Sequence, residues 1–189
     1  MICESWSFSH ICKRCREEHL KPSLYTRKIL GNIPVYSFYR YDEIEPLLLT
    51  KHSDLGYYIY KILAKESLSK FAMEFEHETQ VAAVGIDDHV RHGYSHTALL
   101  VRSLKNSLIK PCYGKLRARN KETYSGQGYQ YRLLHPRRFN YKPFKEEAVI
   151  LVDDILTTGL TLTQAAERLH REGKRIVCCL TLADAEKKR

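Results

Sequence analysis

The stretch AVILVDDILTTGLTL, residues 148–162, changes its character twice within fifteen positions. It opens with five apolar residues, Ala148 to Val152, and this length and β-branched content are typical of a strand buried on both faces. Two carboxylates, Asp153 and Asp154, follow directly. After Gly159 the apolar residues recur at helical spacing, at Leu162, Ala165, Ala166 and Leu169. The stretch therefore predicts a buried strand with an acidic carboxyl end, a loop of small residues and a helix.

This order of elements suits an anionic, hydroxylated ligand. In open α/β sheets, ligands bind beyond the carboxyl ends of the strands, and a loop that opens a helix presents backbone N–H groups to an anion. The loop between Thr157 and Thr161 is predicted to hold a phosphate, while the two carboxylates accept hydrogen bonds from hydroxyl groups. The alternative is a solvated strand-to-helix turn in which Thr158 or Thr161 caps the helix.

The whole chain has the composition of a globular α/β protein. Its 189 residues are 43% hydrophobic and 28% charged, enough for one sizeable core. The N-terminus lacks the apolar segment of a secretory signal, and no stretch is long enough to span a bilayer, so we expect a cytoplasmic protein with reduced thiols and no membrane insertion. Predicted strands at 34–39, 81–86 and 175–182 alternate with predicted helices at 42–49, 55–71 and 95–108. This alternation favours a mostly parallel sheet flanked by helices.

The segment VILVDDILTTGLT resembles the signature of type I phosphoribosyltransferases for phosphoribosyl pyrophosphate (PRPP). The resemblance implies a type I phosphoribosyltransferase-like fold that binds PRPP with Mg²⁺. It also implies that Asp153 and Asp154 are catalytic, holding the ribose 2′- and 3′-hydroxyls. The 5-phosphate would then be bound by Thr157, Thr158, Gly159, Leu160 and Thr161. These roles agree with the chemistry, because carboxylate charge stabilises the cationic character that develops at the anomeric carbon as pyrophosphate leaves.

Further features extend along nearly the full chain and resemble the ComF family of competence-linked, phosphoribosyltransferase-like proteins, and within it the ComFC group. They are an N-terminal cysteine cluster, the segment VGIDDHVRHGYSH, and a basic segment containing LRARN and HPRRFNYKPF. The resemblance implies a role in DNA uptake during natural transformation, acting on single-stranded DNA with other DNA-uptake proteins at the inner membrane. Two short stretches depart from the family pattern. HGYSH stands where relatives commonly show R-G-F-N-Q, and VGID replaces V-P-V-P.

The middle segment is where a working transferase would meet the pyrophosphate. Asp87, Asp88 and Arg91 are the candidate residues, with Ser95 predicted to cap the helix that follows. Two adjacent aspartates repel a pyrophosphate unless Mg²⁺ bridges them. His92 and His96 lie in the same segment. The alternative interpretation is that both are ordinary surface histidines.

The N-terminal cysteines Cys3, Cys12 and Cys15 follow the spacing C-x8-C-x2-C. In a reduced protein of this size, metal binding is a better explanation for them than disulfides, and Zn²⁺ is the predicted ion. His10 or His19 supplies the fourth ligand in this interpretation. The alternative is a degenerate finger whose cysteines pack as small apolar groups. Residues 1–30 are predicted to form this zinc-finger-like segment and residues 31–189 the phosphoribosyltransferase-like domain.

The net charge of +9 is concentrated between residues 115 and 145, where aromatic residues alternate with basic ones. Single-stranded DNA binds such surfaces through phosphate contacts and base stacking. The candidate nucleic-acid-binding residues are Arg117, Arg119, Arg132, Arg137, Arg138, Tyr129 and Tyr131. A solvated loop is the alternative interpretation of this segment. Two functions remain open: a DNA-uptake factor, and a metabolic phosphoribosyltransferase with an unidentified acceptor.

Overall fold

The computed structural model of the protein describes residue 7 and residues 9–87, 93–118 and 138–186. The strands in these ranges form one seven-stranded sheet in the order β1-β2-β7-β6-β3-β4-β5. Their bounds are β1 Tyr25–Ile29, β2 Ile33–Arg40, β3 Val81–Asp87, β4 Ile109–Ala118, β5 Phe139–Tyr141, β6 Ala148–Leu156 and β7 Arg175–Asp184. The five inner strands are parallel, and the two edge strands are antiparallel to their neighbours. The predicted α/β class is confirmed, with a mixed sheet.

Helices cover both faces of the sheet. One face carries α1 Lys13–His19, α2 Tyr41–Leu48, α3 Asp54–Glu66, α4 Leu68–Glu74 and α5 His96–Ser103, and a 3₁₀ segment, Leu49–His52, joins α2 to α3. The opposite face is covered by α6, Leu160–His170. Strand β6 contacts both layers, since Ile150 and Val152 pack with the first group while Val149 and Leu151 pack with α6. Its uninterrupted apolar sequence reflects this burial on two faces.

The connections diverge between β3 and β6. From β3 the chain passes through α5 to β4 on one side, and from β6 it passes through α6 to β7 on the other. The β6–β3 ladder ends at the pair Val152 and Gly85, whereas the β6–β7 ladder continues to Leu156 and Asp184. Among the described residues, the carboxyl end of β6 therefore pairs with β7 alone, at a topological switch point where α/β proteins bind ligands.

Three of the predicted elements have different bounds in the structure. Strand β6 continues through the two aspartates to Leu156, because this extension pairs with β7. The single helix predicted over 55–71 divides at Ser67, whose hydroxyl donates to the carbonyl of Leu63 at 2.6 Å. The helix predicted over 95–108 ends at Ser103, and the Asn106 side chain then accepts two backbone N–H groups ahead of β4.

The predicted boundary at residue 30 falls in the turn between β1 and β2. Strand β1 thus joins the main sheet, and Cys15 and Leu20 pack in the core under the first group of helices. Within the described ranges, no helix is both long enough and apolar enough to cross a membrane.

Candidate functional site

The loop between β6 and α6 turns sharply at Gly159. This residue has φ +77° and caps α6, a left-handed conformation that glycine adopts without a steric penalty. A Cβ atom at this position would lie 3.0 Å from Cγ2 of Ile29 in β1. The Thr158 hydroxyl accepts the amide of Leu160 at 3.3 Å, and the Gly159 carbonyl accepts the amide of Thr163 at 2.9 Å. The loop packs directly against β1 and leads into an eleven-residue helix.

Arg27 of β1 forms a hydrogen bond to the backbone of this loop. Its Nη1 donates to the carbonyl oxygen of Thr157 at 2.8 Å and to Oδ1 of Asp184 at 3.2 Å. Asp184 is buried at the carboxyl end of β7, and the next residue, Ala185, donates its amide to the carbonyl of Leu156 at 2.8 Å. The loop is therefore attached to β1 and to the carboxyl end of β7. Arg27, which makes the contact to β1, was not singled out by sequence analysis.

Asp154 lies in a buried polar cluster. Its side chain is close to three groups from the first helical face, all of them near Oδ2. Lys51 Nζ is 2.9 Å away, the Tyr60 hydroxyl 3.5 Å and His96 Nε2 3.6 Å. Asp154 itself is only 7% exposed. These partners come from the 3₁₀ segment, α3 and α5, so the cluster joins three elements to β6.

The cluster keeps Asp154 ionised. Burial is the largest single influence and raises its pKa, but the charges of Lys51 and His96 and the hydrogen bond from Lys51 outweigh it. The net result is a pKa well below the usual range of an aspartate. Tyr60 behaves oppositely: burial, followed by the Asp154 charge, raises the pKa of its hydroxyl far above the ordinary value. Tyr60 therefore remains a hydrogen-bond donor to the carboxylate.

The two carboxylates lie on opposite faces of β6. Side chains alternate along a strand, and Asp154 points toward the layer that contains Tyr60 and His96. Asp153 is half-buried and adds to the elevated pKa of Cys179, a residue packed on the α6 side. Its Oδ1 accepts the amide of Asp154 at 2.9 Å. The structure thus places the aspartates next to each other at the carboxyl end of β6, with different surroundings.

The candidate pyrophosphate residues are only partly within the described ranges. Asp87 ends β3 and pairs in register with Arg117 of β4, while Asp88 and Arg91 lie outside the described residues. The predicted cap is confirmed, because the Ser95 hydroxyl accepts the amide of Ala98 at 3.1 Å. His96, the first residue of α5, is part of the Asp154 cluster, and its side chain is only 16% exposed.

The basic segment, residues 115–145, begins in β4 and continues past β5, and these two strands pair with each other. Strands β4 and β5 pair Arg117 with Asn140 and Ala118 with Phe139, and Arg138 comes just before β5. Both Arg117 and Arg138 are exposed. The remaining candidates for nucleic-acid binding lie outside the described residues: Arg119, Arg132, Arg137, Tyr129 and Tyr131.

Two of the three candidate zinc ligands are described. Cys12 caps α1, its sulfur accepting the amide of Cys15 at 3.4 Å, and Cys15 is buried. Cys3 lies outside the described residues. In the part of the chain that the structure describes, no group of three or more His, Cys, Asp or Glu side chains is placed to hold a metal ion. Cys178 and Cys179 lie in the core of β7.

Lys51, Tyr60 and Arg27 are the site residues that sequence analysis missed. Each one reaches the β6 region from a distant part of the chain, Lys51 across 103 positions and Arg27 across 130. Tyr60 appears in the sequence as one apolar position of an amphipathic helix. His96 was noted, and its place at the start of α5 was the one available signal for its role.

Comparison with known proteins gives a family match over the C-terminal part of the chain. Residues 117–189 match the family model described as the phosphoribosyl transferase domain. This range contains β6, the loop and α6, so the match supports a type I phosphoribosyltransferase domain in this part of the chain. A comparison with curated proteins gives no significant match.

Solved structures similar to this chain include three purine phosphoribosyltransferases. A hypoxanthine phosphoribosyltransferase from Staphylococcus aureus is 18% identical with a TM-score of 0.43, covering 66% of this chain and 62% of its own. A hypoxanthine-guanine phosphoribosyltransferase from Bacillus anthracis is 18% identical with a TM-score of 0.41, covering 66% and 68%. The Trypanosoma cruzi hypoxanthine phosphoribosyltransferase, in a ternary complex with substrates, is 18% identical with a TM-score of 0.43, covering 69% and 70%. The chain spans less than two thirds of the length of the S. aureus protein.

Proposed function

We propose that the protein binds PRPP at the carboxyl end of β6, with the 5-phosphate in the loop from Thr157 to Thr161. The observation that carries this proposal is the loop itself. It turns at a left-handed Gly159 into the N-terminus of α6, within the range that matches the phosphoribosyl transferase domain. Threonine hydroxyls and helix N-terminal amides suit a phosphate dianion, and the helix dipole adds to the attraction.

The acidic pair then serves the ribose and the reaction. In this proposal Asp153 and Asp154 accept hydrogen bonds from the ribose hydroxyls, and their negative charge stabilises a developing cation at the anomeric carbon. Burial strengthens this electrostatic effect, because Asp154 is only 7% exposed. The low pKa of Asp154 is consistent with the role, since only the ionised form supplies the charge.

Mg²⁺ belongs with PRPP in this proposal. The ion prefers phosphate oxygens and retained waters to a cage made entirely of protein ligands, so it arrives on the pyrophosphate group. There it supplies partial neutralisation of the leaving group. The chain's own part is to orient the ribose and exclude water around the anomeric carbon.

A second proposed function is the binding of single-stranded DNA during uptake, as the ComF resemblance implies. Supporting it, Arg117 and Arg138 are both exposed and lie near each other at the β4–β5 pair, Arg117 opposite Asn140 and Arg138 just before β5, where the basic segment begins and ends. Cations brought together at a sheet edge attract a polyanion more strongly than the same charges spread over the surface. We propose that this edge contacts DNA on the cytoplasmic side, with DNA-uptake proteins of the inner membrane as partners.

The alternative is a metabolic phosphoribosyltransferase that acts on an unidentified small acceptor. Paired calorimetric titrations of the full-length protein with PRPP·Mg²⁺ and with a single-stranded oligonucleotide separate the candidates. Binding of both ligands supports the combined proposal, and binding of PRPP alone favours the metabolic alternative. Binding of DNA without PRPP would contradict the proposed phosphoribosyl site.

We further propose that Cys3, Cys12 and Cys15 bind Zn²⁺. In support, the Cys12 sulfur accepts an N–H group from Cys15, which turns the chain so that both cysteines start the same helix. Elemental analysis of protein purified without chelator tests this proposal, with about one zinc per chain expected and a Cys12→Ser variant expected to lose it. A Cys112→Ser variant is the matched control, because Cys112 is buried in the opposite layer. A metal-free wild type would contradict the assignment.

A further inference from the structure

We propose that Lys51 and His96 bind the pyrophosphate group of PRPP, and that Lys51 exchanges its partner Asp154 for this group when PRPP binds. The inference rests on the proposed function and extends it, because it assigns pyrophosphate binding to Lys51, which lies outside the segment that the sequence indicates, and to His96, the last residue of that segment. The assignment depends on where the two side chains lie, on the charge they meet, and on which groups then pair with Asp154.

Two donors converge on one oxygen at the switch point of the sheet. Lys51 Nζ and His96 Nε2 lie 2.9 Å and 3.6 Å from Oδ2 of Asp154. Their side chains are 24% and 16% exposed, so both groups are largely withdrawn from water while still in contact with it. A nitrogen pair held this closely can contact two oxygens of one phosphate-type anion.

The pair adjoins a helix N-terminus. His96 is the first residue of α5, an eight-residue helix that follows β3 and is capped by Ser95. Lys51 comes from the 3₁₀ segment, and its carbonyl accepts the hydroxyl of Tyr94 at 2.9 Å. The backbone of Lys51 is thereby tied to the residues that lead into α5. The two donors therefore lie close to the N-terminus of α5, whose helix dipole also favours a bound anion.

Charge favours this assignment over one based on Asp87 and Asp88. Pyrophosphate carries several negative charges, and Asp87 and Asp88 repel it. An ammonium group on a flexible four-carbon stem can swing to a neighbouring anion while its backbone stays in place. Lys51 has both properties, and it begins from a position next to the ribose-binding carboxylate.

The exchange leaves no buried charge unpaired. Lys51 neutralises Asp154 in a site where an isolated carboxylate is costly. When PRPP binds, the ribose hydroxyls donate hydrogen bonds to Asp154, and the pyrophosphate pairs with Lys51. Tyr60 remains beside the carboxylate throughout, so its orientation is kept.

The test measures the affinities of the full-length protein for Mg²⁺-pyrophosphate and for ribose 5-phosphate by calorimetry. Lys51→Met is expected to weaken pyrophosphate binding by about tenfold or more, the value of a charged hydrogen bond. His96→Gln is expected to weaken it by a smaller factor. Lys65→Met is the matched control, since Lys65 is exposed on α3 and its replacement removes the same charge.

An Asp154→Asn background separates pyrophosphate contact from a purely structural role of Lys51. There Lys51 no longer has a carboxylate to neutralise, so pyrophosphate affinity is expected to equal or exceed that of the wild type. Adding Lys51→Met should still lower it by about tenfold, whereas no effect in this background would overturn the proposal. The double variant removes both buried charges, and thermal unfolding verifies that it folds.

Ribose 5-phosphate distinguishes a failure here from a failure of the proposed function. If the wild type binds ribose 5-phosphate but its pyrophosphate affinity does not depend on Lys51, only the present inference fails. If the wild type binds neither ligand, the proposed function fails and this inference fails with it.

Discussion

Arg27 and Thr157 are joined by a hydrogen bond of 2.8 Å from the guanidinium to the backbone carbonyl. The contact connects β1, at one edge of the sheet, to the first residue of the proposed phosphate loop. The same guanidinium contacts Asp184, which pairs in register with Leu156 at the end of β6. Arg27 is therefore a positioning residue for the loop.

Replacing Arg27 with methionine is expected to weaken PRPP binding by roughly tenfold, because the loop loses a charged hydrogen bond that fixes its backbone. Isothermal titration measures the effect. Lys28→Met provides the control, since Lys28 is the exposed neighbour on the same strand and its replacement changes the net charge equally. Equal affinities of the two variants would show that Arg27 does not position the loop.

Gly159→Ala is expected to lower the free energy of unfolding by more than Gly173→Ala. Both glycines have φ near +75°, so both variants bear a backbone cost of about 1–2 kcal/mol. Only at Gly159 does the added methyl group also meet Ile29, whereas nothing lies within 4 Å at Gly173. Urea denaturation gives the two values, and an identical decrease at both positions would contradict the tight packing of the loop on β1.

The apolar core of the fold was predictable because the inner strands have a distinctive sequence pattern. Residues 148–152 are an apolar run buried on both faces, and residues 176–182 are mostly apolar and largely buried, so the sequence pattern detects both strands directly. Strands β1 and β4 were missed for physical reasons. YTRKI alternates between exposed and buried positions at an edge, and IKPCYGKLRA contains a proline, a glycine and two lysines that favour other structures.

The residues of the candidate site also fall into two groups, those that the sequence could predict and those that it could not. The signature from Asp153 to Thr161 is contiguous in sequence, so its strand, loop and helix could be predicted together. Lys51, Tyr60 and Arg27 could not, because their roles arise only when distant elements pack at the carboxyl end of β6. No local pattern marks a lysine in a 3₁₀ segment as the partner of an aspartate 103 positions away.

The Asp154 cluster predicts a defined dependence of stability on pH. The folded protein holds the pKa of Asp154 below its value in the unfolded chain, which is about 4. The corresponding stability is fully present above that value and disappears as the pH falls toward the folded pKa. Urea midpoints between pH 6 and pH 2.5 are expected to fall less steeply for Asp154→Asn than for the wild type. Parallel curves would mean that the cluster does not stabilise the ionised carboxylate.

Binding of single-stranded DNA is expected to weaken steeply with salt. The Arg117→Ala/Arg138→Ala variant should reduce the log–log slope by roughly 0.7 for each DNA phosphate that the protein no longer neutralises. The Tyr129→Ala/Tyr131→Ala variant should lower the affinity with little change in slope, because an aromatic ring displaces no counterions. Fluorescence anisotropy at several salt concentrations measures both quantities.

Lys61→Ala/Lys65→Ala is the matched control for the arginine pair, since it removes two exposed charges from α3 on a helical face of the sheet. Its slope should equal that of the wild type. A reduction as large as that of the arginine variant would assign the salt dependence to net charge, and not to the edge formed by β4 and β5.

The most direct test of the proposed site is a calorimetric titration of PRPP·Mg²⁺ into the wild type and the Thr158→Ala/Thr161→Ala variant, with Thr79→Ala as a surface control. Removal of two hydroxyl donors to the 5-phosphate is expected to weaken binding by at least about tenfold while thermal unfolding stays nearly unchanged. The control should bind as the wild type does. Unchanged PRPP affinity in the folded double variant would contradict the assignment of the loop as the 5-phosphate site.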